Sequence, residues 1–409
     1  MTTTATPIVP QDAGKFVPVQ TRSERPKSFV AAELPEPTNR LTAFRYSPVA
    51  KFAPLLVDEP GDDTISYDID APEGVLRAPL APGEAPRGTV LVPEDRYAAI
   101  ASARCEQALF LSIPAEAELE HPIRVRIHGS DAAKRDVAHL VLRAERHSRA
   151  MIILEHTGSA TYAQNVEIIV EDGAQLRVVA LHEWEDDTVH VGVHEAHVGR
   201  DAKLDHTIVT FGGGAVRVNP TVHLNGEGAD SDVRGLYFAD AGQHFEHHVF
   251  IDHAGRRTRT DVNYKGALQG AGARTVWIGD VLIQQDAVGT DSYEQNRNLV
   301  LSDGARADSV PNLEIECGDI EGAGHASATG RFDEEQLFYL MARGIDELAA
   351  RRLVVHGFLN EIVQRLGDAE LVERVEATLE VELARADAAI AAIAAREAAE
   401  AASDEGARQ

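Results

Sequence analysis

Residues 298–345 read NLVLSDGARADSVPNLEIECGDIEGAGHASATGRFDEEQLFYLMARGI, and a change of period inside this stretch decides the architecture. In its first half Leu299, Leu301, Leu313 and Ile315 share one parity within their own segments, with polar residues between, as strands do. Gly304, Asp308, Ser309 and Pro311 read as turn residues. Residues 322–324 free the backbone, and a lone His325 follows among small residues. Beyond Thr329 and Gly330 the pattern turns helical. Asp333 suits the N-cap, Gln336 holds the capping-box position, and Gly344 suits the stop.

Upstream, a loose repeat runs into this stretch. Its unit is an alternating strand, a Gly-Ala or Asp-Ala corner and a second alternating strand. The copies are IIVEDGAQLRVVAL, HVGRDAKLDHTIVTF, HLNGEGADSDVRGLYF, LQGAGARTVWIGDVLI and LVLSDGARADSVPNLEI. The corners fall at Gly173, Asp201, Gly228, Gly272 and Gly304, with a further candidate at His253-Ala254-Gly255. A coil of this size cannot bury its own apolar face, so successive coils must stack. No helical pattern separates the strands, which excludes βαβ units. The expectation is a mainly β chain whose middle is a β-helix, with a β-sandwich as the ordinary alternative.

Three regions follow. Residues 1–106 form an arm and a mixed helix-and-loop region: residues 1 to about 40 read as a mobile arm, and Phe44, Tyr46, Phe52 and Leu55 as anchors. Asp95 opens a short helix that carries Cys105 on its apolar face. Residues 107–330 form the β-helix. Residues 331–409 form a helical region ending in an Ala-rich tail from residue 384. In it Leu348, Leu353, Val354, Phe358, Ile362 and Leu366 mark the apolar face of a second helix capped by Asp346. Leu371, Val375, Leu379 and Leu383 mark that of a third, capped by Asp368.

Charge and cysteine content narrow the function. Lys and Arg number 39 against 66 Asp and Glu, a net charge of −27, and basic runs are lacking. That argues against nucleic acid and anionic membrane as partners. Two distant cysteines, Cys105 and Cys317, cannot form a closed zinc or cluster site within the chain. Without an apolar leader or a spanning run, the expected location is the cytoplasm, with both thiols free. Phosphate-cradling motifs are missing, since Gly212, Gly213 and Gly214 lack the Lys and the helix that a P-loop needs.

Histidines provide the other candidates. The clusters at His190, His194 and His197 and at His244, His247, His248 and His253 lie in strands, where such spacings do not share one face. They read as surface or half-buried strand residues. His325 stands between Gly324 and Ala326, so its ring is accessible. A neutral imidazole can donate to iron if thiolates come from another chain, and it can equally be a polar residue that caps a turn. Cys317 shares the parity of Leu313 and Ile315 and reads as a small inward apolar residue.

The order of strand, histidine, small residues and capped helix resembles the SufD branch of the SufB/SufD family of iron–sulfur cluster assembly scaffolds. The residues carrying the likeness are 299–303, 311–316, Gly324-His325-Ala326, 333–345, Arg351-Arg352-Leu353 and 357–362. The resemblance implies a right-handed parallel β-helix and a non-enzymatic scaffold. It implies pairing with a SufB-like paralogue and binding of a SufC-like ABC-type ATPase, for which the amphipathic helices of residues 333–366 are the expected surface; the sequence leaves open whether the isolated chain forms a homodimer. His325 then becomes an interface ligand for a transient iron–sulfur cluster. Cys317 is a weaker candidate, because the essential cysteine of the SufB branch aligns nearer Ile315. The rivals are a β-helix polysaccharide-acting enzyme, which needs carboxylates gathered in one groove, and a purely structural solenoid.

Overall fold

The structure, a computed structural model, describes Arg22 and residues 25–331 and 334–385. The arm before Arg22, Asp333 as a cap, the side chain of Gln336 and the tail beyond residue 385 lie outside the described residues.

The first elements close one end of a solenoid. They are α1 (Val49–Phe52), β1 (Ile65–Asp70), β2 (Leu76–Leu80), α2 (Arg96–Arg104) and β3 (Ala108–Ile113). Asp95 caps α2 by accepting from the Ala98 amide at 2.9 Å, and Cys105 follows the helix as a buried free thiol. The solenoid itself starts with two long strands, β4 (Ile123–Ala144) and β5 (Arg149–Val170), each shared between two walls. From there the chain alternates. The first wall takes β6 (Gln175–Trp184), the second β7 (Val189–Val198), and then β8 (Lys203–Thr210) and β9 (Ala215–Leu224) follow in turn. The alternation continues through β10 (Asp230–Ala239), β11 (His244–His253), β12 (Arg259–Leu268), β13 (Arg274–Ile283), β14 (Asp291–Val300), β15 (Arg306–Ile315) and β16 (Gly322–Arg331). From β4 onward every neighbouring pair along the walls is parallel, so the fold is a parallel β-solenoid of about 8 turns.

The corners explain the sequence repeat and correct it. His147, Gly173, Asp201, Gly228 and Arg257 all have positive φ, on one edge of the solenoid. Each donates its amide to a carbonyl one turn further on, as Gly173 does to Arg200 and Gly228 to Arg256. Gly272 and Gly304 also have positive φ but turn the opposite edge, from first wall to second. The five corners read from sequence therefore mix two edges. The anomalously long step between Gly228 and Gly272 is where the reading crossed over. The suggested corner at residues 253–255 starts at the end of β11 and belongs to the first edge, with Arg257 at the left-handed position.

Inward side chains make an aliphatic core. One inner column runs Ile152, Val178, His206, Val233, Val262, Glu294, His325, each residue paired with the next turn. Outside the first wall lie α4 (Glu347–Val363), preceded by α3 (Glu334–Met341), which packs against α4, and a fifth helix over residues 369–385. Asp346 and Asp368 cap the last two by accepting from Ala349 at 3.0 Å and Leu371 at 2.8 Å. Val355, Leu359, Ile362, Leu371, Val375 and Leu379 pack on Val179, Leu181, Val209, Phe211, Leu236 and Phe238 of the wall. Lys265 to Glu361 at 2.6 Å and Arg374 Nε to Glu183 at 2.9 Å fasten the helices there.

Two expectations change. The buried stripe of α4 is Val355, Leu359, Ile362 and Val363, while Leu348 and Leu353 are 45% and 54% exposed. Of the stripe read from sequence, Ile362 and Leu366 are buried and Phe358 packs on the same cluster, so periodicity placed its C-terminal half and misplaced Leu348 and Leu353, because this helix is apolar on more than one side. The arm also docks over its described part. Arg22 and Leu34 are buried, Ser28 donates its amide to Pro93, and Arg96 Nε donates to the Leu34 carbonyl at 2.9 Å. Polar composition hid these few anchors.

Candidate functional site

The two ends of the solenoid differ. At the first end β1 and β3 pair with the two halves of β4, so the outermost full turn is covered. At the other end β15 and β16 finish the strand order, each with one hydrogen-bonding edge unpaired among the described residues. Open edges invite pairing with another chain. Helix α4 and the fifth helix lie on the flank of the first wall rather than over this end.

His325 lies within β16 rather than at a strand-to-helix junction, and Gly322 to Gly324 are strand rather than a release of the backbone. Pairing with β14 along its whole length holds this Gly- and Ala-rich segment extended despite weak local preference. Asp308, Ser309 and Pro311 are likewise strand residues of β15, and Pro311 is tolerated because that strand is terminal. His325 is exposed. In register beside it stands Glu294 of β14, and parallel partners point to the same side of the sheet, about 4.8 Å apart. Both therefore face the mouth of the solenoid.

The inward residues of β14 at this end are Ser292, Glu294, Asn296 and Asn298, all buried and all polar. Asn298 Oδ1 accepts from the Tyr237 hydroxyl at 2.6 Å, and Asn296 Oδ1 accepts from Ser309 at 2.6 Å. Ser292 shares a hydrogen bond with Thr260 at 2.8 Å. Glu294 differs, since neither carboxyl oxygen makes a hydrogen bond of ordinary geometry among the described residues, although the Asn312 backbone amide is near enough to act on it. Burial, with the Asp280 charge nearby, pushes its pKa up to about 8, and the Asn312 amide only partly offsets this. The sequence reading missed Glu294. Its signal is DSYEQNRNLV (291–300), where inward positions are polar, but that is visible only once the register is known.

Cys317 is buried in the corner after β15 and packs in the interior, its thiol 3.7 Å from the Asp319 carbonyl. Its inward reading holds, although it lies beyond the strand. His325 is exposed on β16 while Cys317 is enclosed, so the two do not present a common surface.

The other histidines are more deeply buried than expected. His190, His194, His247, His248 and His253 are at most 2% exposed. His247 faces inward and stacks on Tyr237 at 5.2 Å, while His248 faces outward, 3.3 Å from Arg217 Nη1. Burial lowers both to about 3, so they are neutral. Among the described residues, groups of three or more His, Cys, Asp or Glu with a metal-binding arrangement are lacking.

A second exposed feature is apolar. Phe338, Tyr339 and Met341 of α3 and Leu348 and Leu353 of α4 are 43% to 74% exposed. They lie within residues 333–366, the segment singled out above for a partner.

Comparison with known proteins matches this architecture. Residues 126–358 match the family described as SUF system FeS cluster assembly, SufBD core domain. An iron-sulfur cluster assembly SufBD family protein of Mycobacterium tuberculosis is 44% identical over 364 residues, covering 87% of this chain and 91% of that protein. A Mycobacterium leprae protein of the same description is 43% identical over 363 residues, covering 87% and 93%. The iron-sulfur cluster assembly protein SufD of Bacillus subtilis is 29% identical over 287 residues, covering 68% and 64%. With its matched core spanning more than half its length, and with relatives of this identity and coverage, the chain belongs to the SufBD family of iron–sulfur cluster assembly proteins.

Proposed function

We propose that this chain is a SufD-like scaffold subunit that supports nascent iron–sulfur cluster formation. It pairs through its open end with a SufB-like paralogue and carries a SufC-like ATPase on the exposed face of residues 333–366. The position of His325 carries this reading. It is an exposed imidazole on a terminal strand whose free edge suits strand addition by a matching β-helix. The cluster is cargo held transiently at that junction. His325 gives one nitrogen donor, and the paralogue gives the thiolates, since Cys105 and Cys317 are both buried. Cys317 remains the lesser candidate, reachable only if the last corner opens. Hydrolysis of ATP belongs to the ATPase, and this chain acts without catalytic residues of its own. In the absence of the paralogue the same edge accepts a second copy of this chain. The net charge of −27 fits neither nucleic acid nor an anionic membrane, and no helix among the described residues is long and apolar enough to cross a bilayer. We place the assembly in the cytoplasm, where thiols stay reduced.

The test is co-expression with the two partners, followed by co-purification and anaerobic reconstitution with iron and sulfide. A ternary complex that develops cluster absorbance is expected. A chain that purifies free of both partners would sink the reading.

A further inference from the structure

The cover over the first end of the solenoid has a gap. β1 pairs with residues 124–129 of β4, and β3 pairs with residues 140–144. Val137, Ala138 and His139 lie between these two pairings, with β5 on their other edge and no paired strand residue on this one. A cavity of about 660 Å³ opens to solvent there. That lies within the roughly 300–1,000 Å³ of small-molecule sites. Tyr67 and Ile69 of β1, Leu109 of β3, and Val137 and Ala138 of β4 make its wall mostly apolar. The Tyr67 hydroxyl is already engaged, sharing a hydrogen bond with Tyr162 at 2.9 Å. Cys105 adds a thiol that burial keeps protonated. His139 is engaged too, since its Nε2 lies 2.7 Å from Glu167 and burial favours the neutral ring. Arg77 of β2 is the charge left over. It lines the cavity, is exposed, and makes no ion pair among the described residues.

We propose that this cavity binds a small amphipathic acid, with its apolar body against the walls and its carboxylate on Arg77. Guanidinium and carboxylate match as a bidentate pair. The chain's net charge of −27 disfavours anions at long range, so a local cation must select the sign of the ligand. The apolar body replaces water along Val137 and Ala138, where the solenoid lacks a strand. β1 and β2 share no hydrogen-bonded pairing, so the bound acid joins them across the gap. The site lies at the opposite end of the solenoid from β15 and β16 and does not depend on the scaffold reading.

The test uses the full chain and titration calorimetry with decanoate, below its micelle-forming concentration. Decyltrimethylammonium, with the same tail and the opposite charge, is the comparison. One decanoate site is expected, several-fold tighter than the cationic probe. Arg77→Gln should weaken decanoate about tenfold, the loss of one charge-assisted contact, without weakening the cationic probe. Arg77 is exposed, and a thermal melt of the variant separates lost binding from lost folding. Cys105 reports the location. Bound decanoate should slow its alkylation by N-ethylmaleimide several-fold, while the buried Cys317 at the other end reacts as before. Equal binding of the two probes, or unchanged decanoate binding in Arg77→Gln, overturns the proposal. So does protection that is lacking at Cys105 or equal at both thiols, which would put the probe elsewhere, as on the exposed apolar face of α3 and α4.

Discussion

Nη1 of Arg22 donates to the backbone carbonyl of His248 at 3.0 Å, where the sheet itself cannot. The ladder between β9 and β11 is interrupted opposite Asn219 and Pro220. Even-numbered residues of β9 turn their amides to β11, and residue 220 would donate to His248. Proline has no N–H, so the carbonyl is left for the guanidinium. Arg22 also donates to Thr221 at 2.8 Å and to Glu94 at 3.2 Å. A missing strand hydrogen bond thus becomes the socket for the N-terminal segment.

It follows that Arg22→Ala should destabilise the protein by about 1–3 kcal/mol, the cost of an unsatisfied buried carbonyl together with the lost ion pair. Pro220→Ala restores the ladder donor and should recover part of that loss in the Arg22→Ala background. A double-mutant cycle by chemical denaturation cancels the change in unfolded-chain entropy that Pro→Ala brings. Simple additivity of the two substitutions would show that residue 220 and Arg22 do not serve the same carbonyl.

His223 gives a pH dependence. It lies on the outer side of β9, with Nδ1 2.9 Å from Asp252 and Nε2 3.0 Å from Glu195. Burial works against its charge, but hydrogen bonds to both carboxylates prevail and raise its pKa to about 9. In the unfolded chain it titrates near 6.5. Because the folded value is the higher one, its stabilisation is full below about pH 6.5 and is lost as pH rises towards 9. The size is on the order of 3 kcal/mol at 1.36 kcal/mol per pH unit between the two values. Denaturation of the wild type and of His223→Gln from pH 6 to 10 should converge as pH rises. A constant gap between the two curves would mean that the ring is not charged.

How much of this was legible beforehand depends on what is local. Asp95, Asp346 and Asp368 cap helices as read, and Gly344 has the positive φ of a helix stop, because these are contacts within a few residues. The coil repeat was legible for the same reason, through corners such as Gly173 and Gly228. Register was not. Whether Leu299 and Leu301 meet the helices while Leu313 meets the interior depends on which wall each strand joins. The buried Glu294 and its register with His325 come from a pairing across 31 residues, which no pattern within β14 announces. The left-handed Asp201 and Arg257 show that stacking on the next turn can hold a non-glycine corner.

The helical flank separates two roles that the sequence merged. Deleting residues 331–409 would uncover Val179, Leu181, Val209, Phe211, Leu236 and Phe238, so the truncated chain is expected to aggregate rather than stay folded. Point substitutions discriminate better. Leu359→Ala or Val375→Ala should cost about 2–4 kcal/mol, from positions that are at most about 1% exposed. Phe338→Ala with Leu353→Ala should leave the melt nearly unchanged while weakening capture of the ATPase in a pulldown. Undiminished capture by that double variant would move the ATPase surface elsewhere.

His325→Ala tests the site itself. The imidazole is exposed on the last strand, so its removal takes away little packing and should change stability by less than about 1 kcal/mol. The backbone of β16 that offers the free edge is untouched, because alanine extends as readily as its neighbours Ala323 and Ala326. Assembly with the paralogue and the ATPase should therefore persist, as judged by co-elution. Cluster formation should not. Reconstitution of the complex with iron and sulfide should develop its absorbance several-fold more slowly, and a strain lacking this protein should be poorly rescued. Comparing co-elution with absorbance separates a missing ligand from a broken interface. Wild-type rates in an intact His325→Ala complex would reduce His325 to a surface residue and remove the histidine from the site.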